Sequence, residues 1–462
     1  MPALFRVLVL FLVPSLLPGL HASSATPSAR RPNVVFLFSD DQRADTIHAL
    51  GNRHVRTPNI DRLVQEGVAF RESHIPGSPK HGAVCQPSRA MLMSGRSIFR
   101  VREDLKDTPT WPEQFRKAGY RTFMAGKWHN GEASATRVFP EAGAVFLGGM
   151  TDPFAVGVAD IEGGKAVRRR KEGRFAAEVF ADAALGFLRR QSAAEPFCLY
   201  VAFTTPHDPR TAPEEFRRRQ DPARLPLPSN FLPRHPFDNG ELEVRDEKLL
   251  PWPRTPEAVR GEIADYQASI EATDFQIGRV LTELDRLGFA DDTVVVFAAD
   301  NGLALGSHGL MGKQNLYEHS LRVPLVVRGP GLARNRHTDA LCYLSDLAPT
   351  LCRLAGVEAP EGHEGVDLVP LLRGEPGAKG RDQLLGAYRE FQRSVRDARW
   401  KRIEYPKIGR VQLFDLKSDP DERHDLSDQP AHAATLRRLE EALRKERKAL
   451  GDPMATGEAE KR

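Results

Sequence analysis

The sequence has few cysteines, no excess of charge of either sign, no Asn-x-Ser/Thr triplet and no apolar run long enough to cross a bilayer. Each shortage excludes something. Four cysteines in 462 residues, at 85, 198, 342 and 352, do not make a disulfide framework, so a buried core must hold the fold. Cys198 lies inside an apolar run, where a free buried thiol is expected. Lys plus Arg number 66 and Asp plus Glu 62, and a formal charge of +4 over this length argues against nucleic acid as a partner. The densest basic run, Arg168-Arg169-Arg170-Lys171, reads as a solvated turn. The missing glycosylation triplet favours a bacterial periplasmic or secreted protein over a glycosylated lysosomal one.

The longest mostly apolar stretch, residues 7–20, has 14 residues and is interrupted by Pro14 and Pro18. A bilayer span needs roughly 20. Arg6 precedes the stretch, and Leu20-His21-Ala22 or Ser23-Ser24-Ala25 follows it with small residues, so residues 1–25 read as a cleavable export signal. The expectation is an exported protein, periplasmic or secreted, with no stable membrane anchor.

What is present is a series of continuous apolar runs at 33–38, 121–125, 197–203, 293–299 and 324–327, the pattern of strands buried on both faces. Helical stretches separate them. One, at 59–66, carries Ile60, Leu63 and Val64 at helical spacing, and a longer one opens at Thr255-Pro256-Glu257 and stops at Gly288. The alternation predicts an α/β fold with a large, mainly parallel, doubly wound sheet flanked by helices. Residues 31–380 read as the main domain. Residues 381–462 read as a smaller C-terminal α+β subdomain, with short strands in 392–405 and 410–416 and a charged helix over 431–450. The proline-rich residues 205–256 read as a surface excursion framing one side of a cleft.

Polar residues follow the apolar runs: Asp40-Asp41 the first, Lys127-Trp128-His129 the second, His207 the third, Asp300-Asn301 the fourth. In open α/β sheets the binding crevice lies outside the carboxyl ends of the strands, so these groups are expected to converge. Asp40, Asp41, Asp300 and Asn301 offer oxygen ligands only, which suits calcium, with magnesium the competing ion. In the stretch Val84-Cys85-Gln86-Pro87-Ser88-Arg89, Pro87 suits a first helical turn, and Gly95 can end the helix. Cys85 is thereby placed where loop becomes helix, beside N–H groups that favour an anion.

Cys85-Gln86-Pro87-Ser88-Arg89, followed by Ser94-Gly95-Arg96, resembles the signature of the type I sulfatases, the formylglycine-dependent branch of the alkaline-phosphatase superfamily. Gly126-Lys127-Trp128-His129 resembles that family's second motif. Thr205-Pro206-His207 and Gly312-Lys313 with Tyr317-Glu318 and Arg322-Val323-Pro324 resemble two later ones, and Leu413-Phe414-Asp415-Leu416 with Asp419-Pro420 looks like its C-terminal hairpin. The resemblance implies that a maturation enzyme oxidises Cys85 to formylglycine. One hydroxyl of the hydrated aldehyde then attacks sulfur, and deprotonating the other expels sulfate from the covalent ester. It further implies that Asp40, Asp41, Asp300, Asn301 and the converted Cys85 bind the metal, which polarises sulfate. Arg89 would hold the hydrated aldehyde, Lys127 would contact it and sulfate, and His129 would take the proton on collapse. His207 would contact sulfate or act as general acid, and Lys313 would neutralise sulfate charge.

The implied substrate is a sulfated carbohydrate or another small sulfate ester, with the nearest likeness to bacterial glycan sulfatases around the iduronate-sulfatase and choline-sulfatase branches. Arg210, Arg389 and Arg393 are the cations expected to meet an acidic sugar. Two alternatives stay open at this point. A phosphatase or phosphodiesterase of the same superfamily would present serine or threonine to two metals, and no second ligand set is visible. A non-catalytic binder of sulfated glycans would leave Cys85 a thiol.

Overall fold

The structure, a computed structural model, describes residues 31–80 and 82–455, so the expected export signal at 1–25 lies outside it. Its strand β1 (Asn33–Ser39) is buried along its whole length. Val34, Phe36 and Phe38 point into one hydrophobic core and Val35 and Leu37 into another, which is why the run is continuously apolar.

The main sheet continues through β2 (Val68–Phe70), β3 (Arg121–Lys127), β4 (Ala142–Phe146), β5 (Gly157–Glu162), β6 (Lys165–Lys171), β7 (Phe197–Ala202), β8 (Thr293–Ala299), β9 (Leu325–Arg328) and β10 (Arg336–Thr338). Across the sheet the order is β10-β2-β9-β8-β1-β7-β3-β4-β5-β6. The centre, β8-β1-β7-β3-β4, is parallel as expected. The run at 324–327 behaves differently, because β9 pairs antiparallel with β8. Between them the chain crosses the carboxyl edge through residues 300–317 and the short Glu318–Leu321 helix, with no crossover helix to carry it back, so it re-enters from that edge. The sheet is therefore mixed.

One core is closed by the helices Pro58–Glu66, Ala176–Leu188 and Pro256–Arg286, through residues such as Ile60, Phe180 and Ile277. The other is closed by Cys85–Ser94, Trp111–Lys117 and Leu347–Leu354, through Leu92, Trp111 and Leu351. The basic run at 168–171 is not a turn. It lies in edge strand β6, where Arg168 and Arg170 pair with Asp160 of β5 at 3.0 Å, and charge on an exposed edge opposes strand addition. A second sheet joins the antiparallel strands Leu384–Tyr388, Gln392–Arg396, Trp400–Tyr405 and Arg410–Asp415, and Gly77–Ser78 adds to it in parallel. The Ala433–Leu450 helix packs Leu439 and Leu443 into the same core. Among the described residues no helix is long and apolar enough to cross a membrane.

Candidate active site

The carboxyl ends of β1, β3, β7 and β8 lie at one edge because these strands are parallel neighbours. Backbone bonds tie the loops leaving them: Asp300 N–H donates to Ser39 O at 3.3 Å, and Asp40 N–H to Thr205 O at 3.2 Å. At the end of β3 the register shifts between Ala125 and Gly126. A Cβ on Gly126, whose φ is 98°, would lie 1.9 Å from the Ala202 carbonyl oxygen, so only glycine lets the chain turn Lys127 into the site.

Cys85 is the first residue of the Cys85–Ser94 helix, as the sequence predicts, and Gly95 closes it in a left-handed conformation with its N–H on Met91 O at 2.7 Å. The helix is buried almost all round, Arg89 included. Arg89 Nε donates to Asp300 Oδ2 at 2.9 Å, its Nη1 to Lys127 O at 3.1 Å, and its guanidinium lies 5.0 Å from the Phe38 ring centre. Lys127 Nζ donates to Asp40 Oδ2 at 2.6 Å. Lys313 Nζ donates to Asp41 Oδ1 at 2.5 Å and lies 2.9 Å from Cys85 Sγ.

Cys85, His129, His207 and Lys313 line one cavity of about 260 Å³. Arg89 and Lys127 sit behind it, fully buried, against the acids. Gly149 permits the approach of His129, because a Cβ there would lie 2.6 Å from His129 Nε2. His207 Nδ1 faces Asp208 O at 2.8 Å, which fixes the proton on Nδ1 and leaves Nε2 3.7 Å from Asp41 Oδ2. Burial holds His207 down to about 4 against the pull of Asp41, and burial with Lys127 holds His129 at about 2, so both rings are neutral at pH 7.

Whether a hard cation fits can be judged from the oxygens. Asp40, Asp41, Asp300 and the Cys85 sulfur offer ligand atoms within 4.8 Å of one another. Asp40 Oδ1, Asp41 Oδ2 and Asn301 Oδ1 are buried without a hydrogen-bond partner, and Asn301 turns its Nδ2 to Asp41 Oδ1 at 2.8 Å, which frees that oxygen. Three buried acceptors aimed together suit a bound cation. Burial works to raise the Asp41 carboxyl, yet His207, Lys313 and Lys127 hold it well below the usual carboxylate range, in the ligating form. The Cys85 thiol is pushed well above its ordinary value by burial and by Asp300, so it is a poor nucleophile as it stands. Sulfur is also a soft donor among oxygens; a hydroxyl at position 85 matches the set.

The cations expected for an acidic sugar are elsewhere engaged. Arg210 pairs with Glu262, Arg389 with Glu241 at 2.6 Å, and Arg393, 2% exposed, with Asp452 at 2.7 Å. None lines the cavity, because each faces a carboxylate on a neighbouring element. The residues that line it and were not anticipated include Gly149, Met150, Val244, Arg245, Asp246 and Gln314. Most lie in irregular segments, where no periodicity or motif marks them.

A further cluster, Glu72, His74 and Glu318, has metal-ligand character by residue type, but Arg396 Nη1 occupies its centre, 2.8, 3.0 and 2.7 Å from the three, and Lys401 Nζ pairs with the other Glu318 oxygen at 2.8 Å. It is an ion network.

Comparison with known proteins finds the family described as Sulfatase over residues 32–357, and that described as N-sulphoglucosamine sulphohydrolase, C-terminal, over residues 306–449. An N-acetylglucosamine-6-O-sulfatase of Bacteroides thetaiotaomicron is 26% identical over 93% of this chain and 89% of its own. A choline-sulfatase of Rhizobium meliloti is 29% identical, covering 87% and 83%. A solved structure in complex with its substrate D-glucosamine-2-N,6-O-disulfate shares the fold at a TM-score of 0.79 and 24% identity, covering 92% of this chain and 99% of that one. A family match running over residues 32–357 makes the chain a member of the type I sulfatases of the alkaline-phosphatase superfamily, and so a sulfuric ester hydrolase.

Proposed function

We propose that the protein is an exported sulfatase that removes sulfate from a carbohydrate sulfate ester by S–O cleavage, with Cys85 converted to formylglycine and calcium held by Asp40, Asp41, Asp300 and Asn301. The observation that carries this reading is the position of Lys313, which bridges Cys85 Sγ and Asp41 Oδ1 at the floor of a cavity flanked by His129 and His207. Glycan sulfatases among the relatives support the sugar.

Once in place, formylglycine supplies a hydrated-aldehyde nucleophile and the cation a Lewis acid for sulfate. Lys313 stays protonated, since Asp41, with Asp246 and Asp40, outweighs the effect of its burial, and neutralises charge growing on a sulfate oxygen. Lys127 holds Asp40, and Arg89 holds Asp300, so the carboxylates do not rearrange as charge moves. Neutral His129, with Nδ1 unpartnered, can accept a proton beside residue 85. His207 presents Nε2 to the leaving-group side, where a bound anionic ester favours its protonated form and lets it donate to the leaving oxygen.

The test is the mass of the tryptic peptide from His81 to Arg89, taken from protein made beside a formylglycine-generating enzyme. Exchange of the CH2SH side chain for an aldehyde, with aryl sulfate turnover that Cys85→Ala abolishes, is the expected result. An unmodified thiol with full turnover would overturn the formylglycine reading.

A further inference from the structure

Arg245, held between two carboxylates, forms part of the wall of the cavity that Cys85 also lines. Its Nη1 and Nη2 meet Asp208 Oδ2 and Oδ1 at 2.5 and 3.0 Å, and Nη2 also meets Asp246 Oδ1 at 2.6 Å. Nη1 further contacts the Met150 sulfur. Each terminal nitrogen therefore already serves two acceptors, and the guanidinium has only Nε–H and its flat face to offer a ligand. The arginine side chain is 45% exposed, while those of Asp208 and Asp246 are 9% and 6% exposed behind it. Asp246 is fixed in turn by Gln314, whose Nε2 donates to Oδ2 at 2.9 Å.

Two consequences follow from charge and geometry. The usual recognition of a carboxylate or sulfate by arginine uses two parallel N–H donors, and here both Nη edges are taken. Within the wall, one positive charge faces two negative ones, so an additional anion brought alongside is repelled on balance. The flat guanidinium and the Met150 side chain, itself 53% exposed, instead give a surface suited to the C–H face of a sugar ring. The cavity, at about 260 Å³, is of small-ligand size.

We propose that Arg245, clamped by Asp208 and Asp246, is a specificity-determining residue that makes this cleft accept a sugar whose only anionic group is the ester to be cleaved, and disfavour one bearing a uronate or a second sulfate. This rests on the sulfatase reading above. It reverses the expectation of an acidic sugar.

The test is competition against turnover of 4-nitrophenyl sulfate by the formylglycine-bearing enzyme, comparing N-acetylglucosamine 6-O-sulfate with glucosamine 2-N,6-O-disulfate. The inhibition constant of the disulfate is expected to be about tenfold or more the higher of the two. Asp246→Asn, which keeps the shape and removes one negative charge, should shrink that ratio by about tenfold, and Arg245→Gln, which removes the positive charge, should widen it. Each variant's unfolding midpoint is recorded, and the ratio is read within a variant, so a loss of overall activity does not affect it. Tighter binding of the disulfate by the wild type overturns the proposal, as does no competition by either sugar, or a ratio unmoved in both variants. A formylglycine-bearing enzyme that leaves 4-nitrophenyl sulfate untouched fails the sulfatase reading itself, a distinct result.

Discussion

At the scale of single residues, the site is a balance of buried charge. Asp40, Asp41 and Asp300 face Lys127, Lys313 and Arg89, all with little or no exposure. Burying charges this way is tolerable only when each is paired, and three carboxylate or amide oxygens still lack a partner. A divalent cation would complete them. We therefore expect calcium added to metal-stripped protein to raise the unfolding temperature, through a stabilisation of about 2.7 kcal/mol at a hundredfold excess over its dissociation constant. Asp41→Asn should abolish most of that increment, and magnesium should give a smaller one; differential scanning calorimetry with and without chelator measures both. Asp41 and His129 also carry positive φ, at 65° and 73°, as residues held by their surroundings at a functional site do.

At the scale of elements, the loop that carries Lys313 is held from outside. Glu247, in the short Arg245–Leu249 helix of the proline-rich excursion, accepts Met311 N–H at 3.0 Å and Gly312 N–H at 2.8 Å, and pairs with Arg254 at 2.5 Å. Arg254 is fully buried, with its guanidinium 4.6 Å from the Trp252 ring centre. Removing Glu247 leaves a buried guanidinium and two backbone donors unmatched. Glu247→Ala is expected to cost about 3–5 kcal/mol in denaturant unfolding and to lower kcat by displacing Lys313. The double variant Glu247→Leu with Arg254→Met should lose less stability than the two single changes summed, because the charge and its partner go together. Additive losses would show that the pair does not act as a unit. The same excursion thus supplies both the cavity wall that carries Arg245 and the brace for the segment that carries Lys313, the lysine proposed to meet sulfate.

At the scale of the whole molecule, the second sheet is joined to the active-site loop by the ion network around Glu318. Lys401 Nζ bridges Glu318 and Glu422 at 2.8 Å each, Arg396 meets Glu318 at 2.7 Å, and His74 Nε2 meets it at 2.8 Å. Next to this network His235 and His308 are buried around Tyr317, with His308 stacked on that ring at 3.9 Å. Burial holds His235 down to about 4, and burial with His235 holds His308 to about 3. Between these values and about 6.5 the unfolded chain binds protons that the folded chain does not, so stability falls as pH drops. Each histidine should contribute a loss of about 1.4 kcal/mol per pH unit below pH 6.5. Denaturant midpoints at pH 7.0, 6.0 and 5.0 are the measurement, and His235→Gln should flatten the slope; a slope of opposite sign would exclude this account.

The sequence by itself determined the buried strands, the start of the Cys85 helix and the carboxyl-edge groups, because each depends on local rules. Continuous apolar runs must be covered on both faces, Gly95 must follow the end of a helix, and parallel strands put their carboxyl ends on one side. Only the tertiary structure decided the rest. The antiparallel course of Leu325–Arg328 depends on where the chain re-enters the sheet, and the edge position of 168–171 on which neighbour it lacks. Arg210, Arg389 and Arg393 read as free cations until the fold brings Glu262, Glu241 and Asp452 against them, and Arg245 reads as unremarked until it places that residue in the cavity. Charge is written residue by residue in a sequence. Its pairing is fixed by contacts between segments far apart in the chain, and only three-dimensional packing supplies those.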